Sequence, residues 1–452
     1  MKQYDSVIIG FGKAGKTLCG VLAKRGERVA LVEASRSMYG GTCINVGCIP
    51  SKSLVHSAEE AAAHPDDPFD AKAARYARAV AEKRRVTGLL RGKNYDKLHT
   101  LPGVDILDGF GRFLSPTEVE VSLTDGGTEV LEAGKIFINT GSRPVWKALP
   151  GMDGNPAVYT SETLMDEDRL PARLTIIGAG YIGMEFASLY TSFGSRVTVV
   201  QDGGVFLPKE DRDVADEIRA IQERRGVRFL LGVKPERLEG GTLYVRGEDG
   251  AEQAIPGDAV LLAAGRAPNT AGLQAEKAGV ALTARGAVQV DDRLATTAPN
   301  IWAMGDVNGG PQFTFVSLDD ERIVLSQLTG GDRRRSDRRS VPYSVFMATP
   351  LGRVGLTEQE AAAQGIPFRV VKLPTAAVPK AQVLRQTDGF LKALVQPQTG
   401  KLLGAALLCP EAYELVNFLG LAMDLDVDAA ALRDRIYTHP TMTEAFNDLF
   451  AL

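Results

Sequence analysis

Ser6-Val7-Ile8-Ile9-Gly10-Phe11-Gly12-Lys13-Ala14-Gly15 is an apolar run that ends in glycines spaced G-x-G-x-x-G. The spacing alone is weak, and its flanks make it specific. Residues 16–25 carry an amphipathic helical pattern, Gly26 marks a turn, residues 29–32 form a second apolar, β-rich run, and Glu33 closes it. Glycines at these positions let the backbone turn tightly and approach a pyrophosphate, which then lies at the positive end of the helix dipole. Glu33, eighteen residues after Gly15, is placed to accept hydrogen bonds from a ribose.

The same order recurs. Residues 174–177 lead into Gly178-Ala179-Gly180-Tyr181-Ile182-Gly183, followed by a helical pattern over 184–193, Gly194, and an apolar run over 197–200. Two copies predict two dinucleotide-binding βαβ units and an α/β, Rossmann-like fold class. Eighteen residues beyond Gly183 stands Gln201 rather than an acid, which weakens the usual signal for a free 2′-hydroxyl. No arginine adjoins Gln201 to pair a 2′-phosphate, and Asp202 would repel one, so between NADH and NADPH the balance leans to NADH.

A chain of 452 residues exceeds one ordinary core and predicts about three domains. With 44% hydrophobic and 24% charged residues and a formal charge of -4, nothing favours a nucleic-acid or membrane partner; small diffusible substrates fit better. The apolar run over residues 7–10 is cut at once by glycine and lysine, too short for a signal peptide or a membrane span, so the expected location is cytoplasmic. Residues 58–98 read as helical, with Lys72, Arg75, Arg78, Arg84 and Arg85 on a face expected to meet water. Strand-like runs follow the second unit, and the polar stretch 330–339 reads as a linker or exposed loop. From 341 to 452, strand patterns at 344–346, 368–373, 391–395 and 403–408 and helical patterns at 357–364 and 411–424 predict a third, α+β domain.

Four cysteines, at 19, 43, 48 and 409, make no disulfide scaffold for a chain of this size; a close pair in a reducing compartment is catalytic or metal-binding. Cys19 and Cys409 read as small buried hydrophobes without a role. The close pair stands in Gly40-Gly41-Thr42-Cys43-Ile44-Asn45-Val46-Gly47-Cys48-Ile49-Pro50-Ser51-Lys52. This run resembles the redox-active segment of the pyridine nucleotide-disulfide oxidoreductases, the group that contains dihydrolipoamide dehydrogenase, glutathione reductase and mercuric reductase. The resemblance implies FAD and a nicotinamide dinucleotide as cofactors, Cys43 as the interchange thiol, Cys48 as the sulfur against the flavin, and a disulfide between them. A thiolate near a helix start and a cation has the lowered pKa that exchange chemistry needs. A zinc site needs further ligands at metal spacing, and histidines at 56, 64, 99 and 439 do not supply them, so no resident metal is expected.

Other motifs follow in the family's order across nearly the whole chain. By resemblance, Gly41, Thr42 and Lys52 belong to the flavin site, Lys52 and Glu185 form an ion pair near the reactive edge, and Tyr181 gates the nicotinamide pocket. Thr140 and Gly141, in Ile136-Phe137-Ile138-Asn139-Thr140-Gly141, pass the FAD adenosine, and Gly111 lies where adenine meets main chain. Gly265-Arg266-Ala267-Pro268-Asn269 is similar to the return from the NAD domain, and Asp306, in Trp302-Ala303-Met304-Gly305-Asp306, to the aspartate that holds the ribityl and phosphate region. His439, in His439-Pro440-Thr441-Met442-Thr443-Glu444, matches the family's base, with Glu444 orienting its ring. In the family that histidine serves the partner subunit's site, which implies a homodimer. The implied domains are 1–150 with 266–335 for FAD, 151–265 for NAD(P), and 341–452 for dimerisation.

The acceptor is the open part. Mercuric reductases carry a C-terminal vicinal cysteine pair and a tyrosine at the base position, whereas this chain ends Phe450-Ala451-Leu452 and keeps His439. Ile8-Ile9-Gly10-Phe11-Gly12-Lys13-Ala14-Gly15-Lys16-Thr17-Leu18, Met38-Tyr39-Gly40-Gly41 and Ser317-Leu318-Asp319-Asp320 are similar to the reactive-chlorine-resistance flavoproteins of this family, which implies oxidative-stress defence by reduction of a metal ion such as copper(II). The alternatives are a dihydrolipoamide dehydrogenase or low-molecular-weight disulfide reductase, and a redox sensor that keeps the fold without turnover. The intact His439 and Glu444 argue against the sensor.

Overall fold

A computed structural model describes residues 1–338 and 340–452; Arg339, the last residue of the stretch expected to be a linker, lies outside them. Strand Lys2–Ile9 pairs in parallel with Val29–Glu33 on one side and Thr128–Ile138 on the other. Val7 and Ile8 are fully buried, as expected of a parallel strand covered on both faces. Val104–Phe113 extends the sheet beyond Val29–Glu33, and Ile301–Ala303 beyond Thr128–Ile138, again in parallel. The antiparallel strand Glu118–Leu123 joins the far ends of Val104–Phe113 and Thr128–Ile138, so the pairing closes into a circuit.

The second repeat builds a five-stranded parallel sheet in the order Arg228–Leu231, Arg196–Gln201, Arg173–Ile177, Ala259–Leu262, Val158–Thr160. In both units the crossover helix, Lys13–Lys24 or Tyr181–Phe193, begins three residues earlier than the sequence pattern predicts, because the extended Gly12 and Gly180 serve as N-caps. An antiparallel set, Lys234–Glu239, Thr242–Arg246 and Glu252–Ile255, follows the second unit, and Ser142–Pro144 pairs with Arg266–Pro268 where the chain leaves and re-enters the first.

The single helix expected over 58–98 is corrected to two, Cys48–Ala62 and Phe69–His99. Pro65 and Pro68 fall in the gap, where proline removes an amide donor and clashes with the preceding turn. On the basic face Arg78, Arg84 and Arg85 are exposed, as expected, and Lys72 and Arg75 are half-buried. Arg75 pairs with Asp67 at 2.8 Å, Arg84 with Asp168 at 2.8 Å, and the neighbouring Lys83 is buried against Asp166. Residues 330–338 are tied to the body of the fold, with Arg333 on Asp319 and Arg338 bridging Asp319 and Asp320. Among the described residues no helix is long and apolar enough to cross a membrane.

The C-terminal region forms an antiparallel sheet in the order Tyr343–Val345, Leu351–Gly355, Leu402–Leu408, Phe390–Val395, Arg369–Pro374, packed by helix Ala412–Asp424. Lys392, fully buried on the fourth strand, reaches the second unit: its Nζ lies 3.1 Å from Asp211 and 2.8 Å from Asp213, and it also pairs with Glu358. Removing one partner of a buried cluster strands the others' charge, at a cost of about 3–5 kcal/mol. Lys392→Met is therefore expected to lower the thermal unfolding midpoint, with part of the loss recovered when Asp213→Asn and Glu358→Gln are added; calorimetry of the three variants checks this.

Candidate functional site

The carboxyl ends of both parallel sheets open into one continuous cavity of about 3330 Å³. A pocket for one drug-sized ligand spans roughly 300–1,000 Å³, so this one has room for two extended dinucleotides. Gly10, at φ +106°, turns so tightly that a Cβ there would lie 2.3 Å from the Asn139 carbonyl oxygen; Gly178, at φ +113°, stands in the same relation to Ala263 at 2.4 Å. Gly12 and Gly180 cap the two helices without a side chain; Asn139 takes the Gly15 amide of the first helix, and the first-turn amides ahead of it have no side-chain cap and remain available to an anion. A Cβ on Gly180 would meet only open space. Gly15 and Gly183 do not line the cavity: a side chain at either would strike the carbonyl of Gly10 or Gly178, so they serve close helix packing.

Glu33 lines the cavity and accepts from the Phe11 N–H at 2.9 Å and the Ser35 N–H at 3.2 Å; burial pushes its carboxyl up, with these amides opposing. Gln201 repeats that geometry without charge, its Oε1 accepting from the Ala179 N–H at 3.2 Å while Nε2 donates to the Gly203 and Val205 carbonyls at 3.1 and 3.0 Å. Asp202 is not a lone acid, because Lys147 pairs with it at 3.0 Å from 55 residues away, a partner invisible to motif spacing.

Gly41, Thr42, Gly111, Thr140, Gly141 and Gly265 also line the cavity. Asp306 reaches it from the end of Ile301–Ala303, held by the Ser142 hydroxyl at 2.6 Å; Arg266 in turn donates to Ser142 and pairs with Glu162 at 3.1 Å. Burial raises the Asp306 carboxyl, with Ser142 and Arg266 opposing. Asn139 went unnoticed at the sequence level as a structural tie: its Oδ1 accepts from the Gly15 N–H at 2.9 Å and its Nδ2 donates to the Met304 carbonyl at 2.6 Å, joining three separated motifs.

Cys43 lies in the short helix Thr42–Asn45, and Cys48 is the first residue of Cys48–Ala62. Both face the cavity as free thiols, hydrogen-bonded to one another. The bond from Cys48 lowers the Cys43 thiol to about 6; burial opposes, and the Thr314 hydroxyl, Lys16 and Lys52 add to the lowering. Cys48 is pushed far up by the same bond, by burial and by the charge on Cys43. One thiolate is thus localised on Cys43. Lys52, one turn along the helix, lies 2.8–2.9 Å from both oxygens of Glu185 and 4.6 Å above the Phe346 ring, while the Phe346 N–H donates to Glu185 at 2.9 Å. Lys16, Thr314 and Phe346 carry no motif of their own. Only the position of Lys16 directly after Gly15 offered a signal, and its Nζ bonds to the Gly40 carbonyl at 3.2 Å.

His439 and Glu444 are not brought to this cavity within one chain. They form their own pair, Nδ1 to Oε2 at 2.8 Å, with His439 68% exposed. Slight burial acts to raise Glu444, and the His439 ring and the Thr441 N–H outweigh it and hold the carboxyl below its usual value. Tyr181 and Glu185 lie on the second unit's helix and line the cavity.

The family model described as pyridine nucleotide-disulphide oxidoreductase matches residues 4–320, and its dimerisation-domain model matches 341–450. The chain is 48% identical over 454 residues to the probable pyridine nucleotide-disulfide oxidoreductase RclA of Escherichia coli, covering 100% of both chains. It is 32% identical to mitochondrial dihydrolipoyl dehydrogenase 1 of Arabidopsis thaliana, covering 99% of this chain and 89% of the relative. Among solved structures, the Cu(II) complex of the HOCl-induced flavoprotein disulfide reductase RclA from Escherichia coli superimposes with a TM-score of 0.93 at 47% identity, covering 100% of this chain and 99% of that one.

The localised thiolate has a measurable signature. Alkylation of the reduced protein by iodoacetamide, followed by mass spectrometry against pH, is expected to label Cys43 with a half-point near 6 and to leave Cys48 untouched. Lys52→Met is expected to move that half-point upward, because the thiolate loses a favourable charge.

Proposed function

Because the chain belongs to the pyridine nucleotide-disulfide oxidoreductases and is an oxidoreductase of that FAD- and pyridine-nucleotide-dependent family, we propose that it carries electrons from NADH to the Cys43–Cys48 pair and on to copper(II). The observation that carries this reading is the unequal sulfur pair on the cavity wall, one thiolate and one thiol, beside the Lys52–Glu185 pair. Gly10, Gly12, Glu33, Gly41, Thr42, Gly111, Thr140, Gly141, Lys52 and Asp306 would hold FAD, and Gly178, Gly180, Tyr181, Gln201, Gly265 and Arg266 the nicotinamide dinucleotide; the glycine-capped helix ends and the open space at Gly180 fit both. When bound, FAD supplies acceptance of a hydride from the nicotinamide and delivery of an electron pair to sulfur.

The chain's own residues do the rest. Reduction of the Cys43–Cys48 disulfide by two electrons with uptake of one proton leaves a thiolate on Cys43 and a thiol on Cys48. Reclosure of the disulfide returns two electrons to two copper(II) ions, giving two copper(I), and releases that proton. Soft thiolates suit the copper(I) product. His439, its Nδ1 engaged by Glu444, has Nε2 left to hold a proton for the partner subunit's thiols in a homodimer, a reading supported by the dimerisation-domain match. Residues 1–150 with 266–335 are assigned to the FAD domain, 151–265 to the NAD(P) domain and 341–452 to dimerisation. NADH is favoured over NADPH by the saturated amide of Gln201, whereas the charge on Asp202 is already offset by Lys147 and adds little.

The relative whose structure holds Cu(II) favours copper, and the dihydrolipoyl dehydrogenase likeness favours a disulfide acceptor. One anaerobic assay separates them. NADH-driven copper(I) formation, followed with a copper(I) chelator dye, is expected at two copper(I) per NADH and to fall at least tenfold in Cys43→Ser. Turnover with lipoamide or glutathione disulfide exceeding that with copper(II) would transfer the assignment to a disulfide reductase, and absence of steady NADH turnover with any acceptor would leave a sensor.

A further inference from the structure

Tyr181 begins the second unit's helix directly after the open Gly180, and its hydroxyl donates to Glu210 Oε1 at 2.5 Å. Tyr343, from the first strand of the C-terminal sheet, donates to the same oxygen at 2.6 Å and lies 3.2 Å from the Tyr181 hydroxyl. Arg353, on the adjacent strand, donates to the other oxygen of Glu210 at 3.2 Å. Glu210 is 0% exposed and the Arg353 side chain 5%, so this is a desolvated ion pair. Arg353 Nη1 also donates to the Val354, Leu356 and Ala405 carbonyls, which fixes the guanidinium to its sheet. The contacts continue toward the thiols: the Tyr343 ring stacks 5.8 Å from Phe313, the N-cap of helix Thr314–Leu328, whose first residue bonds both sulfurs.

A hydrogen bond to a buried carboxylate is among the strong ones, and a carboxylate fixed by a desolvated guanidinium does not follow a moving ring. Tyr181 is the member that stands at the glycine-capped helix start. It is half-buried, lines the cavity beside Gly180 and Glu185, and its polar tether is the hydroxyl. We propose that Glu210 is a positioning residue that latches the Tyr181 ring across the nicotinamide subsite, and that Arg353 anchors the latch in the C-terminal sheet. This rests on the functional reading above only in placing the nicotinamide half beside Tyr181. A dinucleotide entering there must first release the phenol from Glu210, so its apparent affinity is the intrinsic one reduced by the fraction of unlatched protein.

The test uses the FAD-loaded, oxidised protein and NAD⁺, which binds without turnover, with calorimetry as the readout. Tyr181→Phe keeps the ring and removes the tether; the dissociation constant is expected to fall at least fivefold. Glu210→Gln, a weaker and uncharged acceptor, is expected to shift it the same way. Tyr343→Phe removes only the second donor on the shared oxygen, and is expected to leave the constant unchanged or raise it up to twofold. Equal affinity of wild type and Tyr181→Phe within twofold overturns the latch. So does a fall in all three variants, which marks general loosening of the junction. A wild type that binds no NAD⁺ overturns the functional reading and the latch together, whereas NAD⁺ binding with no variant effect overturns the latch alone.

Discussion

Two backbone passages, at Gly10 and Gly178, constrain everything downstream. At each, the chain leaves a central strand and crosses the end of its neighbour so closely that a methyl group would overlap the carbonyl of Asn139 or Ala263. Only glycine tolerates both the contact and the positive φ. The passage fixes where the helix behind it begins, and so aims the amides of Lys13–Lys24 and Tyr181–Phe193 into one space between the sheets. Asn139 reinforces the first passage by bonding Gly15 on one side and Met304 on the other, which holds the Asp306 segment against the same strand end. The site is a consequence of how two strand ends are crossed.

The thiol chemistry depends on elements that only this arrangement brings together. The Cys43 thiolate sits among charges and donors from helix Lys13–Lys24 through Lys16, from its neighbour's helix through Lys52, and from Thr314–Leu328 through Thr314. Burial alone would hold both sulfurs protonated. Their mutual hydrogen bond breaks the symmetry, and the surrounding donors decide which sulfur carries the charge. The Lys52 ammonium is itself held in place by Glu185 from the second unit and by the face of Phe346 from the C-terminal sheet. Three separate parts of the fold therefore meet within one turn of Cys48.

What could be read in the sequence was what local spacing encodes. The glycine runs, the strand patterns around them and the cysteine pair each lie within a few residues, and their placement in the fold follows the expectation. The break between Cys48–Ala62 and Phe69–His99 was written in Pro65 and Pro68, but the alanine-rich, basic pattern on either side outweighed them. Contacts between distant positions were out of reach of spacing. Lys147 meets Asp202, Arg353 meets Glu210, and Lys392 gathers Asp211, Asp213 and Glu358, each across a sequence distance that no periodicity spans. The Lys52–Glu185 pair came from family resemblance alone. Gln201 was seen correctly as a missing acid, yet its amide performs the loop-holding half of what Glu33 does, because the Ala179 N–H needs an acceptor whether or not that acceptor is charged.

The junction between the second unit and the C-terminal sheet sets buried charge beside an apolar cluster in which Val345, Met347 and Leu351 join Val214 and Ile218, and the charged part has a physical logic. Glu210, Asp211 and Asp213 face Arg353 and Lys392, while Arg212 turns back to hold the Phe206 and Leu207 carbonyls. Apolar residues of equal volume would give similar or greater stability, since desolvation offsets most of what buried ion pairs gain. Apolar surfaces, however, tolerate sliding, whereas an arginine fixed to three carbonyls and a lysine among three carboxylates accept one register. A fixed register matters because the C-terminal sheet carries both Phe346, which covers Lys52, and the segment that bears His439. In the proposed dimer, an acid–base group delivered from another chain can meet a thiolate at hydrogen-bond distance only if each intervening layer is held without slip. The charged junction meets that requirement on the side of the molecule where the nicotinamide would also enter.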